Sequence, residues 1–115
     1  MMRRLFLLVG ALVLTTGCSH SYDVELASKP PIGVRASNEG ILMSEGLAIL
    51  VRISDTGGND DNILLVSDNP AIVDVYPSTE EDEFVVIGHS IGATTLHVEL
   101  DGSSVRTLRA EVVAQ

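Results

Sequence analysis

Four kinds of residue in this chain have the chemistry to do something: one thiol, three imidazoles, scattered serines and an excess of carboxylates. Cys18 is the single cysteine of the 115 residues, so it has no partner for an internal disulfide. The histidines, His20, His89 and His97, would need to converge as three or four ligands to hold zinc. They share no helical or hairpin spacing, and they read as surface side chains. Serine, histidine and aspartate all occur, but no G-x-S-x-G nucleophile elbow does, and the neighbours His89 and Ser90 lack the separate origins that triad members have. Gly57-Gly58 is followed by acids, which would repel a phosphate rather than cradle it. Nothing here makes the chain an enzyme.

The carboxylates are the richer signal. Asp55, Asp60 and Asp61 fall in one polar stretch, Glu80, Glu81, Asp82 and Glu83 in a second, and Asp101 in a third, together eight of the sixteen acidic residues. Brought together, such groups could supply the six to eight oxygens of a weak extracellular Ca²⁺ site, at about 10⁻⁴ to 10⁻³ M. No EF-hand spacing is present, and the plainer reading is of solvated loops. No other cofactor is implied.

The surroundings of Cys18 give its thiol a role. Arg3-Arg4 forms a basic start, residues 5–14 an apolar run, and Thr15-Thr16-Gly17 a small-residue approach to the cysteine. The run falls short of the roughly 20 apolar residues that a transmembrane helix needs. An ordinary cleaved secretory signal and, from Arg3-Arg4-Leu5-Phe6-Leu7, twin-arginine export are the other readings. Leu14-Thr15-Thr16-Gly17-Cys18 resembles the lipobox of bacterial lipoproteins, with Thr15 where leucine is commoner. The resemblance implies removal of residues 1–17, lipidation of Cys18 with acyl chains such as palmitate, and membrane attachment through them. Ser19, in the position where aspartate would favour the inner membrane, implies the outer membrane where the organism has two.

Charge bounds the partners. The chain carries seven basic and sixteen acidic residues, a net −9. Without residues 1–17, which hold two arginines and no acids, the balance is five against sixteen, a net −11. Such a surface repels nucleic acid and anionic headgroups, so acyl chains rather than a basic patch must hold it on a membrane. Carbohydrate binding is disfavoured too, since stacking platforms need rings. Beyond residue 17 the only aromatics are Tyr22, Tyr76 and Phe84, and Phe84 is expected to be buried.

The elements that would position these residues read as strands. Residues 18–31 are polar and end in Lys29-Pro30-Pro31, a lipidated cysteine and tether in which Val24-Glu25-Leu26 could pair as a short edge strand. From residue 32 to 115, short β-branched runs alternate with turn clusters and no helical period is sustained. Leu47, Ile49, Val51 and Ile53 make one apolar face, with Ala48, Leu50 and Arg52 on the other. Leu96, Val98 and Leu100 repeat the pattern, and Leu108, Ala110 and Val112 end it. Asp68-Asn69-Pro70 and Asp101-Gly102 are turn signals. About seven such strands predict an all-β, antiparallel two-sheet sandwich.

Ser67-Asp68-Asn69-Pro70-Ala71-Ile72-Val73-Asp74-Val75, Val86-Ile87-Gly88 and Gly92-Ala93-Thr94-Thr95-Leu96-His97-Val98 together resemble the group 2 bacterial immunoglobulin-like domain. Glu45-Gly46 stands where that family often has a Gly-Glu turn, and its frequent tryptophan is absent. The likeness runs from about residue 32 to 113 and implies a spacer or binding module with no shared active site. In immunoglobulin strand order the three acidic segments would meet at one tip, where the first strand also begins. The resulting expectation is a lipid-anchored, non-enzymatic envelope module with a protein partner. An accessory subunit of a larger envelope assembly, and a weak Ca²⁺-dependent adhesion or carbohydrate-binding module, are the alternatives.

Overall fold

A computed structural model describes residues 22–27, 29, 33–55 and 62–115; Cys18, His20, Asp60, Asp61 and the proposed signal lie outside the described residues. Period-two alternation with β-branched side chains dictates strands, and nine form among the described residues: β1 (Tyr22–Leu26), β2 (Arg35–Ala36), β3 (Gly40–Ser44), β4 (Ala48–Asp55), β5 (Ile63–Ser67), β6 (Val73–Pro77), β7 (Glu83–Gly88), β8 (Gly92–Leu100) and β9 (Ser103–Val113). They make one sheet in the order β1-β4-β7-β6 and another in the order β2-β3-β9-β8-β5. The all-β sandwich expected from the sequence is the fold observed.

The core lies between the sheets. Ile49, Val51 and Ile53 from β4, Phe84 and Val86 from β7, and Val73 from β6 face Met43, Leu65, Leu96, Val98, Leu108, Ala110 and Val112, all buried. Each strand contributes every second residue, so the layer is aliphatic apart from Phe84 and Tyr22.

Three features differ from the expected arrangement. The strand option at Val24-Glu25-Leu26 is taken and extended back to Tyr22, which pairs with Asp55 and is 3% exposed. The segment read as tether therefore contributes an edge strand and a core side chain. Second, β2 and β3 occupy residues to which no strand was assigned, because Gly40-Ile41-Leu42-Met43-Ser44 is short and set among polar residues. Third, β3 runs parallel to β9, so the sandwich is not wholly antiparallel. Gly40 permits that contact: a Cβ there would lie 2.4 Å from the Arg109 carbonyl oxygen.

Two turns set the register. Ser44-Glu45-Gly46-Leu47 carries the chain from one sheet to the other, with Leu47 N–H donating to the Ser44 carbonyl at 3.3 Å and Gly46 at φ 86°. Between β8 and β9, Asp101 and Gly102 have φ of 50° and 88°, the two positive values a type I′ hairpin needs.

Replacing Met43, fully buried, with alanine should cost about 2–5 kcal/mol in urea unfolding. Gly40→Ala should cost about 1–3 kcal/mol by driving β3 off β9, seen as faster amide exchange along β3.

Candidate functional site

The end of the sandwich where the acidic segments were expected to gather is organised by one arginine. Arg52 stands opposite Glu83 on β7 and opposite Glu25 on β1, so a Glu-Arg-Glu row crosses three strands on the outer face. Its Nη2 donates to Glu83 Oε2 at 2.5 Å, its Nη1 lies 3.9 Å from Glu25, and its Nε lies 4.0 Å from Asp82. The Glu83 hydrogen bond first, and then the neighbouring carboxylates, raise the Arg52 pKa above its ordinary value.

The acidic segments do share an end. Ile53 N–H donates to the Asp82 carbonyl and Asp101 N–H to the Asn62 carbonyl, which ties the β6–β7 loop to β4 and the β8–β9 hairpin to the start of β5. Among the described residues no group of three histidines, cysteines or acids could hold a metal. Glu83 is buried against Arg52, Asp82 faces the same guanidinium, Asp101 shapes a turn, and Glu80 and Glu81 are exposed. Asp60 and Asp61 lie outside the described residues, as does the side chain of Asp55.

At the opposite end, Tyr76 Oη donates to Asp74 Oδ2 at 2.6 Å, and Val75 N–H donates to Asp74 Oδ1 at 2.9 Å. His89 Nε2 lies 3.7 Å from the same carboxylate. The tyrosine hydrogen bond first, with the backbone amide and His89 helping, holds Asp74 below the usual carboxylate range, and the same bond raises Tyr76. Among the described residues Tyr76 is the one exposed Phe or Tyr ring, since Tyr22 and Phe84 are in the core; a sugar-stacking platform there would have a single aromatic.

Sequence reasoning missed one constellation. His97, on the outer face of β8, has Nε2 at 2.9 Å from Asp68 Oδ1 and Nδ1 at 3.2 Å from Ser104 Oγ. The cross-strand register creates it, because β8 pairs with β5 and β9 on either side, and no linear spacing announces it. The roles of the two ring nitrogens are reversed from those of a serine hydrolase, and Ser104 is exposed on an open sheet face with no enclosure to exclude water. Two grooves among the described residues lie elsewhere, one of about 600 Å³ beside β2 and β3 and one of about 410 Å³ between β5 and the β6–β7 loop.

No family model matches the sequence, and no curated protein matches it. Solved structures do. A piece of the S-layer protein SbsC comprising domains 4 and 5 is similar at 20% identity and a TM-score of 0.50, over 89% of this chain and 57% of that one. Domains 4–9 of the same surface layer protein match at 20% identity and a TM-score of 0.55, over 90% of this chain and 15% of theirs. Domains 1–6 match at 20% and 0.51, over 91% and 14%. The chain thus spans little more than half of the shortest of these and about a seventh of the longer two. The likeness establishes a shared fold.

Two outcomes follow. Asp74 titrates lower in the folded than in the unfolded chain, so its contribution is present above the unfolded carboxylate pKa and fades as pH falls through the folded one. The difference in unfolding free energy between the wild type and Asp74→Asn should accordingly shrink on acidification, measured by urea titration at stepped pH. A fluorophosphonate probe should leave Ser104 unlabelled by mass spectrometry; labelling abolished by His97→Ala would establish a reactive serine.

Proposed function

We propose that this chain is a lipid-anchored, non-enzymatic immunoglobulin-like module of the cell envelope that offers a protein-binding or structural surface. The observation that carries the reading is the strand order. β1 and β3 sit in different sheets, β1 beside β4 and β3 parallel to β9, which is the immunoglobulin arrangement with a split first strand. Its likeness to surface-layer domains supports an extracytoplasmic structural role. The titratable clusters support the absence of catalysis, since each is engaged on an open surface rather than converging in a cavity.

The anchor is assigned to Cys18 by the lipobox resemblance, and the fold adds a dimension to it. With β1 starting at Tyr22, only residues 19–21 separate the lipid from the sandwich, a reach of about 14 Å fully extended. Tyr22 is at the end that holds Asp82 and Asp101. Acidic loops would then stand within about two Debye lengths of the headgroups, each about 8 Å at physiological ionic strength. Repulsion from an anionic surface grows as the stem slackens and opposes collapse of the acidic end onto the headgroups, and the outer membrane is its place in a two-membrane organism.

Cys18→Ser should move the protein from the membrane pellet to the soluble fraction with the folded domain's protease resistance intact. Retention of the serine variant in washed membranes would remove the lipid anchor from this reading.

A further inference from the structure

A β-sandwich has four sheet edges, and each is an invitation to another strand unless something blunts it. Three are blunted here. On β1 the Val24 N–H is capped by Asn38 Oδ1 at 2.7 Å, and Asn38 in turn holds Asp23 at 3.0 Å. On β6 the Val75 N–H is taken by Asp74, and Pro77 has no N–H to offer. The third edge is β2, only two residues long.

The fourth edge, β5, has no such device. Asp101 N–H donates to the Asn62 carbonyl and Asp68 N–H to the Thr95 carbonyl. Alternation along the antiparallel ladder then gives Leu64 and Val66 the bonds to β8 and turns the main-chain groups of Ile63, Leu65 and Ser67 outward. No described side chain caps those three. Ile63–Ser67 contains no charge and no proline, and its outward side chains, Leu64 and Val66, are 43% and 39% exposed. Beside the start of β5 lies the groove of about 410 Å³, lined by Leu64 together with Glu80 and Glu81.

We infer that β5 accepts an extended segment of a partner protein as an added strand, aliphatic at alternate positions and basic at the end beside Ile63. This rests on the binding-module reading above. Main-chain bonds to Ile63, Leu65 and Ser67 hold the segment, Leu64 and Val66 select β-branched neighbours, and Glu80 and Glu81 select a lysine or arginine over an acid. A second copy of this chain is the wrong occupant. Symmetric pairing about Leu65 would be antiparallel and would point the two domains in opposite directions. The eight residues of β4 already span about 27 Å, beyond the reach of about 14 Å that residues 19–21 allow, so two copies standing upright on one membrane cannot pair this way.

The test uses the full lipid-carrying chain in neutral detergent, with a capped peptide of alternating valine and threonine between two lysines as the probe. Saturable binding that slows amide exchange at Ile63, Leu65 and Ser67, while leaving Leu64 and Val66 unchanged, is expected. Exchanging the lysines for glutamates, or making Glu80→Lys with Glu81→Lys, should weaken it by about tenfold or more. N-methylation of alternate peptide amides, or Val66→Lys, should abolish protection without unfolding the domain. Unchanged exchange at millimolar peptide overturns the inference, as does protection at β5 that grows with protein concentration alone. Failure of the anchor reading is recognised separately, by membrane retention of Cys18→Ser while peptide binding persists.

Discussion

The two sheets are held by an aliphatic layer with no covalent reinforcement. A chain with one cysteine cannot staple them internally, so the burial of Ile49, Val51, Ile53, Val86, Leu96, Val98, Leu108 and Val112 has to offset the conformational entropy of about 1–2 kcal/mol per ordered residue backbone. Each of these side chains reaches the layer only because its strand alternates. A one-residue slip in any register would expose an entire set. The devices that pin register, Gly40 against Arg109 and the positive-φ pair Asp101-Gly102, therefore act on the layer strand by strand.

Much of this could be read from the sequence, for physical reasons that also mark its limits. Strong alternation in 47–53, 95–100 and 105–113 gave the inward residues correctly, and Asp101-Gly102 announced its hairpin. Tyr22 was misread because a single aromatic in a polar segment has no period to betray it. β3 was missed for the opposite reason: its two inward residues, Ile41 and Met43, are too few to establish alternation, and its partner lies about 70 positions away in the chain. Parallel pairing of that kind is a tertiary choice that local propensity does not encode. The grouping of the acidic segments at one end followed from strand order, whereas Arg52 as their organiser did not, since it depends on which residues stand opposite each other in a register that only the folded sheet defines.

Charge placement gives the sandwich two unlike outer surfaces. One sheet presents Leu50, Val85 and Ile87, partly buried, around the Glu25-Arg52-Glu83 row. The other presents Thr95, His97, Glu99, Thr107, Arg109 and Glu111, with exposed Leu64 and Val66 on β5 and Val105 on β9 as its large apolar residues. Charge and caps placed in this fashion oppose edge-to-edge and face-to-face association. The capped edges and the open one belong to a single pattern of permitted and forbidden association.

The parallel contact between β3 and β9 also has a mechanical meaning. The start of β1 and the end of β9 lie at opposite ends of the sandwich, since Tyr22 pairs with Asp55 and Val113 with Ser44, at the two ends of the connection through β4. A pull between them runs along the strands. The ladder bonds of β1 to β4 and of β3 to β9 cross that line, so they are loaded together in shear rather than opened one after another. A domain built this way transmits tension along its length as a unit.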